Sequence, residues 1–204
     1  MLKRLSFGTA VALLLASSNF AFAGEEEEFR ETFEAWAVAM GVTNPPIIPA
    51  GANMTIQINI TRWTTEEERE ALFAQLVENK QEGLVRALRN QEETGWTRPR
   101  SRGGSSRTSF PRETLRYSRQ IDLGEGRRRV ILALDRPISF QEAVHRPRWN
   151  DFDMTLFVMD LDKNGEGEGQ LYVGVRLDLN NETKELVIEN FGSEPVRLNR
   201  IRMR

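Results

Sequence analysis

The sequence predicts an α+β domain: a curled antiparallel β-sheet or open barrel of about seven strands, with a helical hairpin inserted after the first strand. Three observations carry this expectation. Met54, Ile56, Ile58 and Ile60 alternate with Thr55, Gln57, Asn59 and Thr61, the period of a strand with one buried face. Thr64 and Thr65 each stand three positions before a glutamate, and apolar stripes at helical spacing follow. From Thr114 onward, apolar runs of strand length are separated by Gly124-Glu125-Gly126, Asn164-Gly165, Asn180-Asn181 and Gly192-Ser193, which are turn-forming sequences.

Taken in order, Met1, Lys3 and Arg4 make a basic start, Phe7 to Leu15 is apolar, and Ala21 and Ala23 supply small residues before Gly24. Residues 1–23 therefore read as a cleaved signal peptide, and the chain as exported to the bacterial periplasm or secreted. The apolar run is shorter than the roughly 20 residues that cross a bilayer, so no membrane span is expected after cleavage. Residues 24–52 read as an acidic, Pro-rich flexible leader, because Glu25 to Glu28 open it and Pro45, Pro46 and Pro49 close it. Within it Phe29, Phe33, Trp36, Ala37 and Met40 have the spacing of a short amphipathic helix. Residues 53–204 form one domain.

After the first strand, Leu72, Phe73, Leu76 and Val77 make one helical stripe, Gly83 interrupts, and Leu84, Val85 and Leu88 make a second that ends near Asn90. Arg98 to Arg112, with Pro99, Gly103, Gly104 and Pro111, reads as a flexible loop. Strand parity places Arg119 on one face with Leu115, Tyr117 and Ile121. Val130 to Leu134 is apolar at both parities and so predicts a central strand. Asp151–Leu161, Leu171–Leu179, Leu186–Ile188 and Val196–Met203 then follow as a four-strand meander.

The chain has no cysteine, which excludes disulfides, thiolate metal sites and cysteine nucleophiles, and a single histidine, His145. A formal net charge of −2 argues against a general nucleic-acid binder. Charge is unevenly spread: from Arg98 to Arg129 ten arginines face only Glu113, Asp122 and Glu125. Arginine in preference to lysine is explained by a G+C-rich genome as readily as by bidentate anion contacts.

Three constellations stand out. Asp160, Asp162, Asn164 and Gly165 match the first half of an EF-hand calcium loop, but Leu171 stands where its bidentate glutamate belongs; a charged hairpin tip is the simpler reading. Asp135 to Arg148 collects Arg136, Glu142, His145 and Arg148 on a loop leaving a buried strand, where binding sites are commonly built. Arg119, if interior, needs an anionic partner, with Tyr117 and Trp149 as walls. Motifs for nucleophilic catalysis and for phosphate loops are missing, so no catalytic residue, metal or cofactor is assigned.

Tyr117-Ser118-Arg119-Gln120, Asp135 to Phe140, Arg146-Pro147-Arg148 and Asp162 to Gly169 resemble segments of a family of exported bacterial proteins of unknown function, over roughly residues 54–203. The resemblance implies bacterial export and transfers no activity. The leading expectation is a non-enzymatic domain that binds a small or anionic ligand, or an envelope protein partner, on the concave side or open end of its sheet. Arg119, Tyr117, Arg136, Glu142, His145 and Arg148 would line that site. The alternatives are a carboxylate-dependent hydrolase acting on envelope material through Asp135, Glu142 or Asp151, and a structural adaptor docking through its charged segments.

Overall fold

The computed structural model describes residues 30–40, 51, 53–100, 111–136, 154–179, 186–190 and 195–204. The elements are β1 (Glu31–Val38), β2 (Asn53–Ile60), α1 (Glu66–Arg89), β3 (Gly95–Arg100), β4 (Glu113–Leu115), β5 (Tyr117–Gly124), β6 (Arg127–Leu134), β7 (Met154–Leu161), β8 (Gly167–Leu179), β9 (Leu186–Asn190) and β10 (Val196–Met203). Nine strands pair antiparallel in the order β4-β3-β2-β1-β10-β8-β7-β6-β5, while β9 pairs with β8 off this path. Only Arg116 separates β4 from β5, so one bent stretch of chain joins the two ends of this order. The sheet thereby comes round into a nearly closed barrel.

The strands beyond the expected seven come from stretches with ambiguous local patterns. Glu31–Val38 lies in the stretch read as a leader with a helix, yet it is a strand hydrogen-bonded to β2 on one edge and β10 on the other. Phe33 and Ala37 satisfy period two as well as period 3.6, Ala35 satisfies only period two, and two waiting partners decide for the strand. Gly95–Arg100 is likewise a strand where a loop was expected from residue 98. Pro99 is tolerated because it lies past the last β4 pair, Thr97 with Glu113, where β3 has no second neighbour among the described residues. The expected final meander is also corrected: β10 pairs with β1 and β8 instead of β9.

Inward side chains fill the barrel. Phe33, Ile56, Ile58, Leu115, Leu132 and Phe157 are at most 1 % exposed, and the ring of staves is just wide enough for such residues to meet at the centre. The concave side expected to host a ligand is therefore packed. Closure also shifts the face of Arg119. Leu115 points inward to complete β4, the chain bends at Arg116, whose N–H donates to Ala133 O (2.9 Å), and Ser118 is the next buried residue. Tyr117, Arg119 and Ile121 thus face outward, one position out of step with the sequence parity. A polar knot seals this seam: Thr64 N donates to Ser118 O (2.8 Å), Ser118 N to Thr64 Oγ1 (2.9 Å), and the Thr94 and Ser118 hydroxyls meet at 2.8 Å.

α1 begins with the expected capping box, in which Thr65 Oγ1 accepts from Glu68 N and Glu68 Oε2 accepts from Thr65 N. A straight helix of this length would run about 36 Å. Instead Lys80 leaves helical geometry (φ 54, ψ −156) and the element folds back. Arg62 touches both of its ends, donating to Glu68 and to the carbonyls of Glu92 and Glu93. At the crossing a Cβ on Gly83 would lie 2.9 Å from Gln75 O, eight residues earlier. The reversal thus falls at Lys80 rather than Gly83, and it follows the second strand rather than the first. Leu72, Leu76, Leu84 and Leu88 cover the outer side of β6, β7 and β8 at Ala133, Leu156 and Val175.

Candidate functional site

Strand alternation leaves the barrel two outer sides. That of β6–β8 is under α1; that of β3, β2, β1 and β10 has no covering element among the described residues. Inward residues of β3 are Gly95, Thr97 and Pro99, so Trp96, Arg98 and Arg100 face out. In β10, Val196, Leu198 and Ile201 face in, and an extra residue at Arg200 (φ 52) bulges the strand, which leaves Arg197, Arg200 and Arg202 outside.

Register aligns these side chains into rows across the sheet. One row reads Arg100, Thr55, Trp36, Asn199, and the next reads Arg98, Gln57, Glu34, Arg202. Arginines on β3 and β10 thus flank a floor made by the Thr55 hydroxyl and Gln57 amide on β2 and the Trp36 indole and Glu34 carboxylate on β1. With strands about 4.8 Å apart, the two banks are about 14 Å apart along the sheet. Trp96 anchors one bank, with Arg112 stacked over its ring at 4.2 Å and Arg98 at 5.7 Å. Stacking holds guanidinium planes in place while leaving their N–H edges available.

Among the described residues most of these charges are uncompensated, the exception being Arg202, whose Nε lies 3.9 Å from Glu166. Arg98 donates from Nη2 to Gln57 Oε1 (3.3 Å), while its Nε is buried with no acceptor. Among the described residues, Arg98, Arg100, Arg112 and Arg197 have no carboxylate at ion-pair distance. Among the described residues of these four strands, Glu34 is the one acid facing out, and it already accepts from Arg204 Nε at 2.9 Å. Of the arginines elsewhere, Arg128 pairs with Glu31, Arg129 with Asp160 and Arg62 with Glu68, while Arg116 donates from Nη1 to Gln91 O and leaves its own Nε buried without an acceptor.

The residues singled out from sequence lie apart from this face or outside the described residues. Arg119 lies near Glu66 at the start of α1, and Tyr117 packs against the cluster under α1. Arg136 reaches Glu113 (Nη2 to Oε2 2.5 Å) as an ion pair, at an angle that makes no hydrogen bond. Asp135 lies 3.7 Å from Arg89. Glu142, His145, Arg148, Trp149 and Asp151 lie outside the described residues.

The calcium-like hairpin has its oxygens engaged. Asp160 receives a two-point contact from Arg129 (2.7 and 2.8 Å), and Asp162 Oδ1 accepts from Asn164 N and Glu166 N. Among the described residues, no cluster of three metal-ligating side chains occurs. Among the described residues, every carboxyl whose pKa departs clearly from its ordinary value is held down: Glu66 by Arg69, Glu68 by Arg62, Asp160 by Arg129, and Asp162 by the Glu166 and Asn164 amides. None of these is a poised general acid.

No family model, curated protein or solved structure matches this chain. Among the described residues no helix is long and apolar enough to cross a membrane. The sequence signal for the arginine face was present in the period-two spacing of Trp96, Arg98 and Arg100, but Pro99 disguised the strand.

Proposed function

We propose that this chain is an exported bacterial protein without enzymatic activity, a binding domain that holds an anionic partner on the outer face of β3, β2, β1 and β10. The basic, apolar and small-residue order of its first 23 positions supports export. One observation carries the binding reading: in a chain of net charge −2, a sheet face that no described element covers gathers Arg98, Arg100, Arg112 and Arg197, which have no carboxylate at ion-pair distance among the described residues. Uncompensated like charges repel one another, so such a face is costly unless an external anion neutralises it. The packed barrel interior and the downward-shifted carboxyls favour this over a carboxylate-dependent hydrolase. The ligand site moves accordingly, from the concave side to the outer wall.

Inorganic polyphosphate serves as a generic polyanion probe. Binding should weaken steeply with salt, and the Arg98→Glu/Arg100→Glu variant should lose about tenfold or more in affinity. Binding that ignores both salt and these substitutions would contradict the proposal.

A further inference from the structure

We infer that the anionic partner is an acidic polysaccharide, its sugar chain lying along the β2–β1 floor with carboxylates turned to the arginines of β3 and β10. This rests on the binding reading above. The floor is the first reason. Thr55 and Gln57 on β2 present hydroxyl and amide groups between the two banks, and Asn199 adds an amide at the β10 bank; these donate to and accept from sugar hydroxyls, whereas a bare polyphosphate chain offers acceptors and almost no donors.

Charge geometry is the second. Guanidinium forks match planar carboxylates in two-point contacts, and banks on both sides of the floor meet acidic groups that project from either edge of a polymer.

The aromatic residues argue against the other polyanions. Single-stranded nucleic acid is held by bases stacked on open aromatic faces, but the Trp96 ring already carries Arg112 at 4.2 Å and Arg98 at 5.7 Å. A bilayer surface is met by projecting apolar side chains, whereas Trp36 and Trp96 are half-buried in the wall of a convex barrel.

The test titrates the full mature chain with polygalacturonate, polyphosphate, oligo(dT) and phosphatidylglycerol vesicles, using variants whose thermal melting is unchanged. Polygalacturonate should bind most tightly per charge. Thr55→Val/Gln57→Met should weaken it about fivefold, the loss of one or two hydrogen bonds, and leave polyphosphate unaffected. Thr55→Val alone should act in the same direction, and it replaces the pair if Gln57→Met lowers the melting point. Equal loss for both polymers, no loss for either, or tighter binding of oligo(dT) or vesicles would overturn the inference. In those cases sensitivity to Arg98→Glu/Arg100→Glu would leave the binding reading standing. Failure of every polyanion to bind would remove both.

Discussion

Glu31 and Arg128 meet across the mouth of the barrel from strands that are not neighbours. The two guanidinium Nη atoms donate to the two carboxylate oxygens, each at 2.9 Å, and Arg128 Nη1 also reaches Gln120 Oε1. Both residues have inward parity, on β1 and β6, and Arg128 lies 5.9 Å from the Phe33 ring below. The pair bolts opposite walls together. Glu31→Gln or Arg128→Met should each cost about 2 kcal/mol in urea unfolding, because each strands a half-buried charge. The double variant should cost little more than either single one, and simple additivity would show that the two residues act independently.

Gly83 is expected to reverse the usual helix rule. Alanine in place of glycine ordinarily gains about 1 kcal/mol inside a helix. Here the new methyl would sit 2.3 Å from Asn79 Cβ and 2.9 Å from Gln75 O. Gly83→Ala should therefore destabilise by about 2 kcal/mol as the two legs of α1 are pushed apart. A raised melting point would mean that the legs do not cross there.

Acid should loosen the entry to α1. Hydrogen bonds from Arg62 hold the Glu68 carboxyl below its ordinary value, and the amide of Thr65 adds to this. A carboxyl depressed in the folded state stabilises fully above its unfolded pKa, and that stabilisation fades as pH falls through the folded value. Stability should thus decline with acidification below the ordinary glutamate range, with a shallower slope in Glu68→Gln. An unchanged slope would show that the Arg62 contact is not formed in solution.

The β7–β8 hairpin should behave as a turn and not as a cation site. Asp162→Ala removes the acceptor of two backbone amides and should lower the melting midpoint. Calcium should leave the melting midpoint of the unaltered protein where it is, and a rise with calcium concentration would contradict this account.

Local chemistry made part of this fold legible. The alternation of Met54 to Ile60, the Thr65–Glu68 capping box and the Asn164-Gly165 turn all act within a few residues, and the structure places each where the pattern does. What the pattern missed depends on distant partners. Glu31–Val38 becomes a strand only because β2 and β10 lie on either side of it, and Arg119 turns outward only because closure takes up one residue at Arg116. The same holds for the arginine-rich stretch. Arg128 and Arg129 are neutralised by Glu31 and Asp160, whereas Arg98, Arg100 and Arg112 have no carboxylate partner among the described residues, and no spacing within the stretch distinguishes the two groups. The candidate face is therefore a property of pairing across the barrel.

Arginine footprinting addresses that face most directly. Phenylglyoxal labelling, read by mass spectrometry with and without saturating polyphosphate, reports which guanidinium groups a bound polyanion covers. Arg98, Arg100, Arg112 and Arg197 should be protected, while Arg86, Arg89 and Arg127, on α1 and the β5–β6 turn, should react at undiminished rates. Protection of the latter three, or uniform protection of all seven, would contradict the account.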